Sequence, residues 1–102
     1  MILSTNKWVV SGEIYSIREL EGEFAASVKI RGEAKRPNVY SSQILELLCL
    51  LTPKVYKDAK IKGLALYKTM KITGHLETWK RTVNNKIRQK VMFVADYLEK
   101  VE

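Results

Sequence analysis

The chain holds one cysteine, one histidine and two prolines among 102 residues. One cysteine excludes an internal disulfide, and a single histidine beside it is too few ligands for a zinc site. Glycine is sparse and dispersed, so no Gly-rich phosphate loop is present. Long hydrophobic runs are missing too. The longest uncharged apolar stretch, Leu47 to Thr52, is far too short to span a bilayer. The opening Met1-Ile2-Leu3-Ser4-Thr5-Asn6-Lys7 lacks a charged region followed by a long apolar core, so it does not read as a signal peptide. These counts fit a cytoplasmic, reducing setting with no membrane association. The carboxylates are scattered, and His75 is the one imidazole for any nucleophile to pair with. No catalytic residue, metal or cofactor is therefore expected, and an enzyme is not.

What is present is an ordinary globular composition with an excess of positive charge. Apolar residues make up 46% and charged residues 28%, which suits one soluble domain over residues 1–102. Eighteen Lys and Arg against eleven Asp and Glu give a net charge of +7. The excess is local: residues 1–34 hold four basic and five acidic residues, residues 35–102 fourteen and six. A localised basic surface points to a polyanionic partner.

Periodicity orders the chain. Residues 6–20 are rich in β-formers, with Gly12 placed for a bulge or a barrel-corner bend. Glu19-Leu20-Glu21-Gly22 reads as a hairpin turn. Phe24, Ala26, Val28 and Ile30 alternate with Ala25, Ser27, Lys29 and Arg31, giving a strand with one buried and one wet face. Ala34 to Asn38 reads as a turn. Ser41 to Leu51 fits either a helix face or a strand buried on both sides, since short apolar runs do not separate the two. Thr52-Pro53 is a helix-start signal for a short basic helix over residues 54–62.

Tyr67 to Trp79 reads as a strand with Met70, Ile72, Gly74 and Leu76 on one face and Lys71, Thr73, His75, Glu77 and Trp79 on the other. Asn84-Asn85 is a hairpin tip. Ile87 to Val101 is the last strand, apolar on both faces at Val91–Val94, which suggests packing against another subunit. With a strand over 41–51, the order is that of the OB-fold: mainly β, a five-stranded partly open barrel with one short helix between strands 3 and 4. With a helix there, the chain would be another α+β arrangement.

Three segments resemble the bacterial-type single-stranded-DNA-binding proteins. Asn6-Lys7-Trp8-Val9-Val10-Ser11-Gly12-Glu13-Ile14 is similar to their first strand. Met70-Lys71-Ile72-Thr73-Gly74-His75-Leu76 is similar to their fourth, and Val94-Ala95-Asp96-Tyr97-Leu98 to their closing strand. The resemblance implies an OB-fold that binds single-stranded DNA without sequence preference, in replication, recombination or repair, as a homo-oligomer. It also implies aromatic side chains on the outer sheet face. Trp79 matches a tryptophan that follows the fourth strand, about two residues early, and Tyr40 an aromatic that opens the third. The family's acidic, partner-recruiting tail is not matched, because the chain stops at Tyr97-Leu98-Glu99-Lys100-Val101-Glu102. A tailless relative suits a mobile element, a phage or a primosomal protein.

The basic segment Thr78 to Lys90 holds Lys80, Arg81, Lys86, Arg88 and Lys90 and no acid. Single-strand binding needs this mixture, with cations along the phosphates and an aromatic face under a base. The segment is expected to form the loop between strands 4 and 5, with Lys29 and Arg31 on the adjoining sheet face. Trp79 and Tyr40 are thus expected to stack, with Lys29, Arg31, Lys71 and the five basic residues on phosphate. Trp8, Tyr15 and Tyr56 are expected to be structural, His75 a spectator and Cys49 a small buried hydrophobe. The competing readings are a protein-interaction module of OB type and an RNA-binding OB domain.

Overall fold

The computed structural model describes residues 6–34 and 43–101. Tyr40 and most of the turn expected around Pro37 lie outside the described residues. The elements are β1 (Trp8–Glu19), β2 (Ala26–Ala34), β3 (Gln43–Leu51), α1 (Pro53–Ile61), β4 (Thr69–Val83) and β5 (Lys86–Lys100). The strands close into a barrel in the order β1-β2-β3-β5-β4, the OB arrangement, with the helix between β3 and β4.

The ambiguous segment is a strand. Gln43–Leu51 pairs along its whole length with β2, which sets Leu47, Cys49 and Leu51 opposite Ile30, Val28 and Ala26. Leu47, Leu48 and Leu51 would share a helix face, but in the sheet Leu48 turns outward, half-exposed, while Cys49 and Leu51 are fully buried. Burial also pushes the Cys49 thiol up to about 12, so it behaves as a small apolar group.

β1 serves two neighbours. Trp8–Glu13 pairs with β4, and Glu13–Glu19 pairs with β2. The strands cross so closely at the handover that a Cβ on Gly12 would collide with the Arg31 carbonyl. The bulge itself falls three residues later, where Tyr15 is the extra residue between the pairs Ile14–Ile30 and Ser16–Lys29.

Ile14, Ile30, Leu51, Met70, Ile72 and Leu98 fill the barrel with no exposed surface. Helix α1 joins that core through Ala59, with Val55, Tyr56 and Leu64 packed against it. Its start follows from sequence: the Thr52 hydroxyl accepts from the Val55 N–H at 3.4 Å, and Pro53 occupies the first turn.

β4 and β5 are each fifteen residues long. Their ladder runs to Val83–Lys86, whereas β4 meets β1 only as far as Gly74 and β5 meets β3 only at Val94. Beyond those points the two strands pair only with each other and project as an arm. Its tip is a two-residue turn, Asn84-Asn85, with φ of 52° and 63°, as a type I′ hairpin requires. The loop expected over residues 78–90 is therefore strand on either side of a tight turn. Leu76 shares the face of Met70 and Ile72 as expected, yet is 40% exposed, because the barrel that would cover it has ended.

Candidate nucleic-acid interface

Register and alternation define one outer surface running from β2 across β3 and β5 to β4. Cross-strand partners share a face. Lys29 lies beside Leu48, and Arg31 beside Glu46. On the arm, Trp79 pairs with Lys90, Arg81 with Arg88 and Val83 with Lys86. Trp79 and Arg81, two residues apart, share that face, and the Arg81 guanidinium carbon lies 5.9 Å from the centre of the Trp79 ring. Trp79 remains 46% exposed, with room for a further planar group.

Five of the expected site residues thus come together on the outer face of the arm: Trp79, Arg81, Lys86, Arg88 and Lys90. The others scatter. Lys80 pairs with Gln89 on the opposite face. Lys71 sits near the other end of β4, between Ser11 and Glu99. Lys29 is exposed on β2 beside the β3 groove, and Arg31 is already engaged, its Nη2 donating to the Glu13 carboxylate at 3.2 Å.

The structure adds residues that the sequence reading did not select. A groove of about 340 Å³ opens between β3 and β5, where a single residue pair, Leu50–Val94, joins the strands. Leu48, Leu50, Met92 and Phe93 line its apolar part, with Glu46 and Lys90 also present. Leu48 would have been found by alternation once β3 was known to be a strand; Met92 needed the register of the arm. Tyr15 is the other addition. It follows the fully buried Ile14 and lies on the outer side, with the Arg31 guanidinium carbon 5.2 Å from its ring centre. Its phenol is raised above the ordinary value, first by burial and then by the Glu46 carboxylate.

Trp8 is packed inward as expected. Its ring meets Phe93 edge-on at 5.7 Å, and a Cβ on Gly74 would strike it. His75 is no bystander in the fold. Its ring nitrogens bond Asp96 at 2.7 Å and Glu77 at 2.6 Å, where Asp96 is the extra residue of a β5 bulge. The bond to Glu77 raises its pKa above 6.5, partial burial opposes, and Asp96 adds to the rise. The two carboxylates sit on opposite ring nitrogens, and the described residues contain no cluster of three such groups that would hold a metal. Nor is any described helix long and apolar enough to cross a membrane.

No protein-family model matches the chain, and no curated protein does. Solved structures do. One is a Plasmodium falciparum single-stranded-DNA-binding protein in complex with single-stranded DNA, with TM-score 0.66, 19% identity, and coverage of 100% of this chain and 99% of that one. The mitochondrial single-stranded-DNA-binding protein of S. cerevisiae gives TM-score 0.63, 8% identity and 98% of both chains. The small single-stranded-DNA-binding protein of Streptomyces coelicolor gives 0.54, 12%, and 97% and 96%. The fold is theirs over nearly the whole length, as the three sequence segments implied.

Proposed function

We propose that this protein binds single-stranded DNA without sequence preference, as one OB domain. The carrying observation is the outer face of the arm, where an exposed tryptophan lies among four cations with no acid on the segment. Cations there follow the phosphates, and Trp79 stacks a base, a contact that every base can make. The β3–β5 groove continues the path with an aliphatic floor for further bases, and Lys29 stands at its far side. The Plasmodium neighbour, solved with single-stranded DNA, supports the same reading. Replication, recombination or repair in the cytoplasm is the setting this activity serves.

The reading includes a homo-oligomer. Residues 8–12 of β1 pair with β4 alone, and that stretch carries no charge and no proline to block a further strand. Sedimentation of the free protein tests it: a monomer at all concentrations rejects the assembly and leaves DNA binding standing.

The DNA test is a tryptophan-fluorescence titration with oligothymidine of about 30 nucleotides, longer than one OB site, at two salt concentrations with duplex as control. Quenching by the single strand, weaker at high salt and absent with duplex, supports the proposal. No binding by folded protein overturns it, and equal or tighter binding to an RNA oligomer of matching sequence would move the reading to RNA.

A further inference from the structure

The β3–β5 groove carries a charge of the wrong sign for phosphate. Glu46 lines it together with Leu48, Leu50, Met92 and Lys90. Glu46, Leu48 and Leu50 alternate along β3 with the fully buried Cys49 and Leu51, so all three sit on the outer face of the strand. Glu46 is exposed there. A carboxylate on a phosphate path opposes binding unless something other than phosphate faces it.

Two other acids bordering the path are each held by a neighbour. Glu13 holds Arg31 at 3.2 Å, and Glu77 bonds the His75 ring at 2.6 Å. Glu46 makes no ion pair among the described residues, although Arg31 is its cross-strand partner and Lys90 lines the same groove. Tyr15 stands beside it, since the phenol is raised by burial and then by the Glu46 carboxylate. A phenol donates one hydrogen bond at most, whereas a carboxylate has about four acceptor sites. Glu46 therefore keeps acceptors to spare, at the rim of an aliphatic groove.

The groove, of about 340 Å³, lies at the small end of ligand pockets and has room for one base. A base that enters it meets an acceptor pair, and the four bases differ in what they offer. Guanine carries two parallel donors side by side, N1–H and N2–H, which match the two oxygens of one carboxylate. Adenine and cytosine each set an amino group next to a ring-nitrogen lone pair. Thymine sets its single N–H between two carbonyls. Each of those lone pairs faces a carboxylate unfavourably.

We propose that the β3–β5 groove receives a guanine of the bound strand, with the Glu46 carboxylate accepting from N1–H and N2–H. Leu48 and Met92 carry the face of the base, Tyr15 positions the carboxylate, and Lys90 takes the adjoining phosphate. The inference rests on the single-strand reading and adds one guanine-preferring position to a path otherwise indifferent to sequence.

The test uses end-labelled oligomers of about 15 nucleotides, close to one OB site, titrated into the intact protein and read by anisotropy. One is thymidine throughout. The others carry guanine, inosine or adenine at every third position, too dispersed for guanine quartets. The guanine oligomer is expected to bind about tenfold more tightly than the inosine and adenine oligomers, as a bidentate side chain–base pair allows. Inosine keeps the ring system of guanine and lacks the N2 amino group, so this comparison isolates the edge contact and needs no variant. Glu46→Ala is expected to abolish the preference. Glu46→Gln, which keeps one acceptor oxygen, is expected to fall between. Preference is a ratio within one protein, so a general gain from the lost charge cancels, and circular dichroism checks that both variants fold. Equal affinity of the parent protein for the guanine, inosine and adenine oligomers overturns the proposal and leaves single-strand binding standing. So does a guanine preference that survives Glu46→Ala, which would assign it to stacking. Failure of every oligomer to bind overturns the single-strand reading itself, and this proposal with it.

Discussion

The indole N–H of Trp8 donates to the backbone carbonyl of His75 at 2.9 Å. One strand thereby grips another at the point where the arm leaves the barrel. Asn6 adds a second grip one residue on: its side-chain amide donates to the Leu76 carbonyl at 2.7 Å and accepts from the Leu76 N–H at 2.9 Å. These bonds continue the β1–β4 ladder past its last backbone pair and fix the direction in which Trp79 is presented. Trp8→Phe keeps a ring against Phe93 and removes the donor. It is expected to cost about 1 kcal/mol, the usual worth of such a bond, in urea denaturation. Faster amide exchange around residues 75–77 should accompany it.

Trp79→Ala removes the stacking surface from an exposed strand position, so stability changes little. Affinity for oligothymidine is expected to fall about tenfold or more, given 1–3 kcal/mol per stacked base. Unchanged affinity in folded protein would remove Trp79 from the site.

The two faces of the arm should behave differently in salt. Taking one cation away from a phosphate of a single strand lowers the slope of log K against log salt by about 0.7. Arg88→Ala and Lys90→Ala are each expected to do so. Lys80→Ala, on the opposite face, is expected to leave the slope nearly unchanged. Equal effects from all three would mean that general charge, and not the face, governs binding.

His75 sets a pH dependence. Its folded pKa lies above the ordinary 6.5, chiefly through the bond to Glu77 and also through Asp96. The stabilisation is therefore complete below about 6.5 and is lost as pH rises through the higher folded value. Denaturation of the parent protein should show stability falling across that window relative to His75→Gln, which cannot titrate. A parallel pH profile in the two proteins would show that the bonded triad contributes no linkage.

Much of the fold was legible because its signals are local. Thr52-Pro53 marked the start of α1, and the alternation around Val28 marked β2. Asn84-Asn85 marked the hairpin tip through the conformational tolerance of asparagine. The basic run and its tryptophan were equally plain. The strand over residues 43–51 was not, since leucines at positions 47, 48 and 51 satisfy a helix stripe and a doubly buried strand alike. Only pairing with β2 separates those cases.

Sequence by itself determined the type of every element but β3, the sign and place of the charge, and which residues of each strand alternate. Tertiary structure alone decided where the barrel ends and the arm begins. That boundary turns Leu76 from a core residue into a half-exposed one and the expected loop into a ribbon. It also decided which cations share a face with Trp79, which one Glu13 already holds, and that a bulge at Tyr15 returns Ile17 to the core. The reason is physical. Alternation is a property of one strand, whereas burial and charge pairing depend on partners distant in the chain, and a single extra residue in a ladder resets which partners those are.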